Sequence, residues 1–224
     1  MSSTEVEYMV LSLEHLDEVS DLLVNHFYTR DIISLQTSGL RFSPENRLTL
    51  DLPHIRKCLA SGLSLGAREK STQRLVGVIL NLIFTADSPP KPTLKNNNTE
   101  AEMMESRFCK IAAIMTNKID CPEDGRVLYS SRACAHSDFG RRGILMKLGE
   151  MLVTIASIQG FQMITTVVTN PFAEEVLLRL GCKVQTTFDF HTLEEGLLDV
   201  SRMDQKQFKI MTKYLSPTTP KSQL

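Results

Sequence analysis

A single α/β domain with a mixed sheet is the architecture this sequence predicts, on three observations. Strand-patterned and helix-patterned segments alternate along the chain, with no internal repeat. Residues Arg126 to Cys182 read as one continuous strand–turn–helix–strand–helix unit. With 224 residues, 42% of them hydrophobic, the chain can bury a sizeable core in one body. The domain is expected to span residues 1–215, with 216–224, carrying Pro217 and Pro220, as a disordered tail.

The elements follow in order. Tyr8 to Leu11 alternates as a first strand. Leu13 to Tyr28 is helical, with Leu16, Val19, Leu22, Leu23 and Phe27 on one face and Ser12 at the N-cap. Asp51-Leu52-Pro53 predicts a cap and early proline for a helix to Ala60, stopped by Gly62. Leu63 to Arg68 and Leu75 to Phe84 form an expected antiparallel pair across the polar connection Glu69 to Arg74. Ala86 to Thr99 holds Pro89, Pro90 and Pro92, then Asn96-Asn97-Asn98, and predicts a surface loop. Ala101 to Lys118 resumes helical spacing through Met104, Phe108, Ile111, Ile114 and Met115. Beyond Cys182, Gln185 to Phe190 and Phe208 to Thr212 predict closing strands.

Net charge is −1, which gives no electrostatic argument for a nucleic-acid partner or an anionic membrane. No apolar run approaches the ~18 residues of a membrane helix, and Met1 to Glu5 opens no signal peptide. A cytoplasmic monomer is expected. The C-terminal Ser222-Gln223-Leu224 differs from the peroxisomal Ser-Lys-Leu ending at its middle residue, which keeps a peroxisomal address open. Cys58, Cys109, Cys121, Cys134 and Cys182 show neither zinc spacing nor a Cys-x-x-Cys pair, so reduced thiols and no metal are expected.

The chemistry gathers where the strand Val127 to Ala135 runs into Phe139-Gly140-Arg141-Arg142-Gly143 and then a helix from Ile144 to Ser157. A glycine at a strand-to-helix junction lets an anion reach the backbone N–H groups of a helix start, and two arginines add charged donors. After Gly160 come a second strand, Met163 to Thr169, and a short helix following Asn170-Pro171 that ends in Leu178-Arg179-Leu180-Gly181-Cys182.

Phe139-Gly140-Arg141-Arg142-Gly143-Ile144-Leu145 resembles the acetyl-CoA pyrophosphate loop of the GNAT N-acetyltransferases, written Arg/Gln-x-x-Gly-x-Gly/Ala. The ending at Gly181-Cys182 is similar to that family's Lys-Leu-Gly-Phe. Order and spacing of elements from Tyr8 to Lys213 resemble the insect and nematode arylalkylamine (dopamine) N-acetyltransferase-like branch. The resemblance implies a GNAT fold, an α/β (α+β) arrangement with a mixed central β-sheet flanked by helices and splayed central strands. It implies acetyl-CoA as acyl donor, with Cys134, Ala135 and His136 along pantetheine. Arg141, Arg142, Gly143, Ile144, Leu145 and Met146 would surround the diphosphate. The implied activity is acetyl transfer to a small primary amine by direct attack.

The sequence departs from that pattern where chemistry is expected. Gly140 stands in place of Arg or Gln, and Leu145 in place of Gly or Ala, putting bulk near the diphosphate. The branch's general base matches Ile32, with Asp31 one residue away. Its two serines match Thr169, which keeps a hydroxyl, and Ala173, which does not; Leu177 replaces a tyrosine acid. Losing acid–base help costs about 10²–10⁴-fold in rate. The catalytic candidates are therefore Asp31, as base, and Thr169. His136 is a candidate by its ordinary pKa, with a turn hydrogen bond as the structural alternative. Tyr129 and Ser131, two apart on the central strand, share a face that is either the substrate side or core. His15, His26 and His54 lie on helical stretches and read as partnerless surface or core residues. The alternative function is a catalytically impaired relative that binds acyl-CoA or a protein partner without turnover.

Overall fold

Seven strands form one sheet in the order β1-β2-β3-β4-β5-β7-β6. The computed structural model describes residues 5–31, 43–84, 110–122, 126–192, 201, 203 and 206–215. Strand β1 (Val6–Val10) pairs antiparallel with β2 (Leu65–Glu69), β2 with β3 (Leu75–Phe84), and β3 with β4 (Val127–Ala135). Strand β5 (Met163–Val168) lies parallel to β4, and β7 (Gln207–Tyr214) enters antiparallel between β5 and the edge strand β6 (Lys183–Asp189). The expected mixed sheet is therefore present, with one parallel pair at its centre. The loop from Ala86 to Thr99 and the C-terminal tail lie outside the described residues. So does the first half of the helix expected from Ala101 to Lys118, of which residues 110–116 are seen as helix.

Periodicity explains the layers. Helix α1 (Leu16–His26) buries Val19, Leu22 and Leu23, the expected stripe, and is preceded by a 3₁₀ turn at Leu13–His15. With α2 (Pro44–Ala60) it covers one sheet face, where Leu11, Ile55, Cys58 and Leu59 meet Leu75, Val78, Leu80, Leu82 and Cys134. On the other face, α4 (Ile144–Ile158) packs through Ile144, Leu148, Leu152 and Ala156 against Leu65, Ala67, Val76, Ile79 and Leu128, while the helix of residues 110–116, designated α3, sets Ile111 and Met115 against Phe190 and Phe208. Covered on both faces, β3 is buried along its length except at Ile83, as its apolar run, interrupted only by the buried Asn81, requires. Helix α5 (Pro171–Arg179) sets Ala173 and Leu177 against Val168, Cys182 and Met211.

The second helix corrects the sequence expectation. It starts well before Asp51, because Ser43-Pro44-Glu45 is the stronger start signal. Ser43 Oγ accepts the Asn46 N–H at 3.2 Å, Pro44 sits in the first turn, and Glu45 faces the positive end of the dipole. Pro53 consequently lies inside the helix, where a missing N–H and ring clash cost about 3 kcal/mol. Burial of Ile55, Cys58 and Leu59 offsets that cost. Asp51 is then not a cap at all but a buried residue in a helix interior, 3% exposed.

Candidate active site

The two central strands part company halfway. The β4–β5 pairs run Val127↔Met163, Leu128↔Ile164, Tyr129↔Thr165 and Ser130↔Thr166, and end there. Thr166 Oγ1 donates to the Ser130 carbonyl at 2.7 Å and closes the last rung. Strand β4 continues to Ala135, paired among the described residues only with β3, so that among them the backbone of residues 131–135 is open on the β5 side. Ala133 is exposed although it lies in the middle strand of the sheet. This is a cleft opened in the centre of the fold.

A bulge aims the side chains beside it. Leu80 pairs with Arg132 and Asn81 with Ser130, leaving Ser131 as the extra residue. An unbulged strand would send residues 129, 131 and 133 to one face. Here Tyr129, Ser131, Arg132 and Cys134 all reach the α1/α2 side, touching the core there, Cys58, Asp51 and the core again, respectively.

At the far end of the cleft stands a helix start. His136 donates its N–H to the Val76 carbonyl at 2.9 Å, a 3₁₀ turn spans Ser137–Phe139, and the Gly140 N–H closes it on Ser137 at 3.1 Å. Arg141 then takes φ +61° and Gly143 φ +74°, left-handed conformations that turn the chain into α4. Helix geometry leaves the N–H groups of Ile144, Leu145 and Met146 without intrahelical acceptors at the positive end of a 15-residue dipole. Gly77 seats that end. A Cβ there would come within 2.5 Å of Ile144 Cγ2, so only glycine lets α4 begin this close to β3. Arg141, Arg142 and Gly143 are exposed, and the Arg142 guanidinium lies over the Phe139 ring at 4.8 Å. The expected loop residues are thus brought together on one wall. Leu145 departs from expectation, since its half-buried side chain packs onto the α4-side core. Cys134 likewise buries its thiol, so only its backbone is available to the cleft.

The α1/α2 wall holds a buried ionic network that the sequence reading missed. Asp51 accepts a hydrogen bond from Tyr28 Oη at 2.8 Å and is gripped by Arg132, whose Nε and Nη2 both approach at 3.2 Å. Arg47, one turn earlier, lies 3.5 Å away and is 1% exposed. Burial alone would raise the Asp51 carboxyl, but Arg132 and then Arg47 overcome it and hold it down to about 2. Tyr28 is pushed up by burial and by the Asp51 charge. A carboxylate so engaged is an ion-pair partner and not a proton acceptor. The signal for it was Arg132 itself, a guanidinium on a central strand, which demands a buried anion nearby.

The histidines are not partnerless. His54 Nε2 lies 3.6 Å from Cys58 Sγ, which is also 3.6 Å from Ser131 Oγ. Burial first and Arg132 second lower His54 to about 4, so its imidazole is neutral. His15 Nδ1 accepts the Ser12 N–H at 3.1 Å, and the His26 ring stands 3.9 Å from that of His136. His136 Nδ1 accepts the Asp138 N–H at 3.2 Å, the turn role that the sequence allowed. Burial raises Cys58 to about 11 and Cys134 to about 12, so neither is a thiolate near neutral pH.

Of the catalytic candidates, Asp31 lies within electrostatic reach of Arg47 and Arg132, at the end of the Phe27–Arg30 turn. Thr169 is half-buried just beyond β5. Ala173 and Leu177 pack against the small cluster under α5. Ile32 lies outside the described residues. Among the described residues, no group of three or more His, Cys, Asp or Glu is placed to hold a metal ion. None of their helices is long and apolar enough to cross a membrane.

The overall fold, with its seven-stranded mixed sheet, is shared with solved structures. Arylalkylamine N-acetyltransferase 2 from Aedes aegypti matches with a TM-score of 0.76 at 21% identity, over 95% of this chain and 100% of that one. The fold is that of the GNAT N-acetyltransferases. The Drosophila melanogaster polyamine N-acetyltransferase, which forms N-acetylagmatine, matches with a TM-score of 0.73 at 13% identity, over 94% and 100% of the two chains. Arabidopsis thaliana NAA60 in complex with acetyl-CoA follows at 0.55 and 13%, over 94% and 100%. No family model matches the sequence, and no characterised protein matches it by sequence comparison. Likeness at these identities lies in the GNAT backbone, which the strand order and splay reproduce here.

Proposed function

We infer that this chain is an acetyl-CoA-dependent N-acetyltransferase acting on a small primary amine. One observation carries the reading: the backbone of residues 131–135 is unpaired toward β5 and ends at the free N–H groups of α4. An extended amide-bearing arm can pair with such a strand end, and a diphosphate suits the helix start. Cys134, Ala135 and His136 would line the arm through their backbone. Arg141, Arg142, Gly143, Ile144, Leu145 and Met146 would surround the diphosphate, with Gly143 φ at +74° shaping the turn. Neighbours of this fold acetylate arylalkylamines and agmatine, and one was seen with acetyl-CoA, which supports that donor and an amine acceptor. The acceptor enters from the α1/α2 side, where Asp31 stands, and Thr169 borders the opposite strand. Direct attack by the amine is the mechanism, because Cys58 and Cys134 are thiols too weakly acidic to carry the acyl group.

Calorimetry with acetyl-CoA tests the reading. Wild-type protein should bind it stoichiometrically in the micromolar range, about −8 kcal/mol. Gly143→Glu, which places a carboxylate and a strained φ at the anion site, should abolish binding while circular dichroism stays native. Unchanged affinity in that variant would sink the site. A second reading is favoured by Asp51, Ala173 and Leu177, none of which offers acid–base chemistry here: acyl-CoA binding without turnover. Binding with no thiol release across an amine panel would select it.

A further inference from the structure

We propose that the Tyr129 hydroxyl is the general acid that hands its proton to the departing CoA sulfur; this rests on the acetyl-transfer reading above. Leu177 is an aliphatic side chain, half-buried against the cluster under α5, and cannot supply that proton, so the donor has to come from elsewhere in the cleft.

Tyr129 occupies the last but one rung of the β4–β5 pairing, opposite Thr165, immediately before the strands separate. Its side chain lies on the α1/α2 side, the acceptor side, in line with Ser131 and Arg132 across the bulge. The ring is half-buried and held 5.5 Å from the Phe84 ring, which fixes its direction. The hydroxyl makes no hydrogen bond among the described residues, and it is not sealed from solvent. Tyr28, by contrast, commits its hydroxyl to Asp51 at 2.8 Å and is 2% exposed. Tyr8 on β1 and Tyr214, 66% exposed on the end of β7, stand away from the splay. Tyr129 alone among the four tyrosines therefore presents a free O–H donor at the closed end of the cleft.

Position along the strand matches the need. An arm entering at His136 and running back along β4 covers about 3.3 Å per residue, so six residues to Ser130 span roughly 20 Å. The thioester at the tip of that arm arrives beside Ser131 and Ser130, where the Tyr129 side chain begins. The Arg132 guanidinium and the Cys58 thiol lie within electrostatic reach of the hydroxyl. At neutral pH burial keeps the phenol protonated, and the neighbouring guanidinium favours a transient phenolate over what burial alone would allow.

The step balances without an external base. The neutral amine nitrogen attacks the acetyl carbonyl carbon and forms the C–N bond; the C–S bond breaks, and sulfur leaves with the electron pair and takes the Tyr129 proton. The nitrogen, now acylated and carrying one proton too many, returns a proton to the phenolate through cleft water. Amine and thioester become amide and thiol, and the tyrosine is restored.

Tyr129→Phe removes one oxygen and keeps the ring against Phe84. The full-length wild type and variant would be titrated with acetyl-CoA by calorimetry. Thiol release would then be followed with tryptamine, agmatine and spermidine as acceptors. The expected result is acetyl-CoA affinity within about twofold and thermal stability unchanged, with kcat down about 10²–10⁴-fold. Equal kcat in wild type and variant overturns the assignment and leaves the acetyltransferase reading standing. A parallel loss of affinity and melting temperature overturns it too, in favour of a structural tyrosine. Wild type that binds acetyl-CoA but releases no thiol overturns it in favour of the reading without turnover. No binding at millimolar acetyl-CoA overturns the proposed function and this assignment together.

Discussion

Replacing Asp51 with Asn should destabilise this protein more than any surface change, and by an amount that depends on pH in a defined way. The asparagine keeps an oxygen for Tyr28 but removes the charge facing Arg132 and Arg47, whose side chains are 15% and 2% exposed. Stripping the partner from a buried ion pair costs about 3–5 kcal/mol, because the remaining charge stays desolvated. At about 2–4 °C per kcal/mol for a domain of this size, the melting temperature should fall by roughly 6–20 °C. Asp51 titrates near 2 in the folded protein against an ordinary value of 3.8. That depression contributes about 2–3 kcal/mol, fully present above the unfolded value and lost as pH falls through the folded one. The gap between wild type and D51N should therefore be constant from pH 7 to about pH 5 and shrink between about pH 4 and pH 2. Urea unfolding by circular dichroism across that range measures it. A gap under about 1 kcal/mol that does not change with pH would refute the buried anion. The double variant D51L/R132M should be less destabilised than the sum of its parts, since apolar residues replace the pair as a unit.

Two further outcomes follow from the same geometry. Gly77→Val drives a side chain into Ile144, 2.5 Å from the new Cβ, and should cost about 1–3 kcal/mol in urea unfolding. Because the first turn of α4 must move, it should also weaken acetyl-CoA binding by about tenfold in calorimetry. Among the described thiols, half-buried Cys121 should alkylate first with iodoacetamide at pH 8, followed by mass spectrometry. Cys58 and Cys134, buried and raised to about 11 and about 12, should react at least about a thousandfold more slowly than an exposed thiol.

Much of the fold was legible because its signals are local. The α1 stripe, the apolar run of β3 and the Gly160 and Gly181 breaks each follow from a period or a φ that the residues themselves impose. The phosphate-sized turn was legible for the same reason, since a glycine before an apolar helix is written in consecutive residues. The helix at Pro44 was misjudged because two start signals compete within ten residues of each other, and the earlier one, with its Ser43 cap and Pro44 in the first turn, prevails. Leu145 was judged by its place in a motif, whereas the side of α4 on which it falls turns it toward core.

The sequence by itself determined most of the elements, the glycine-capped entry to α4, and the apolar residue types at Ala173 and Leu177. Those are facts of residue type and short-range backbone geometry, which neighbours along the chain decide. Only the tertiary structure decided which groups meet. The single-residue bulge at Ser131 reverses the strand's alternation and swings Arg132 toward Asp51, 81 residues away in the chain. Loss of the β4–β5 ladder after Ser130 leaves the Tyr129 hydroxyl at the head of an open cleft. No periodicity in the chain encodes either event, because each depends on how two distant strands pair and where that pairing stops.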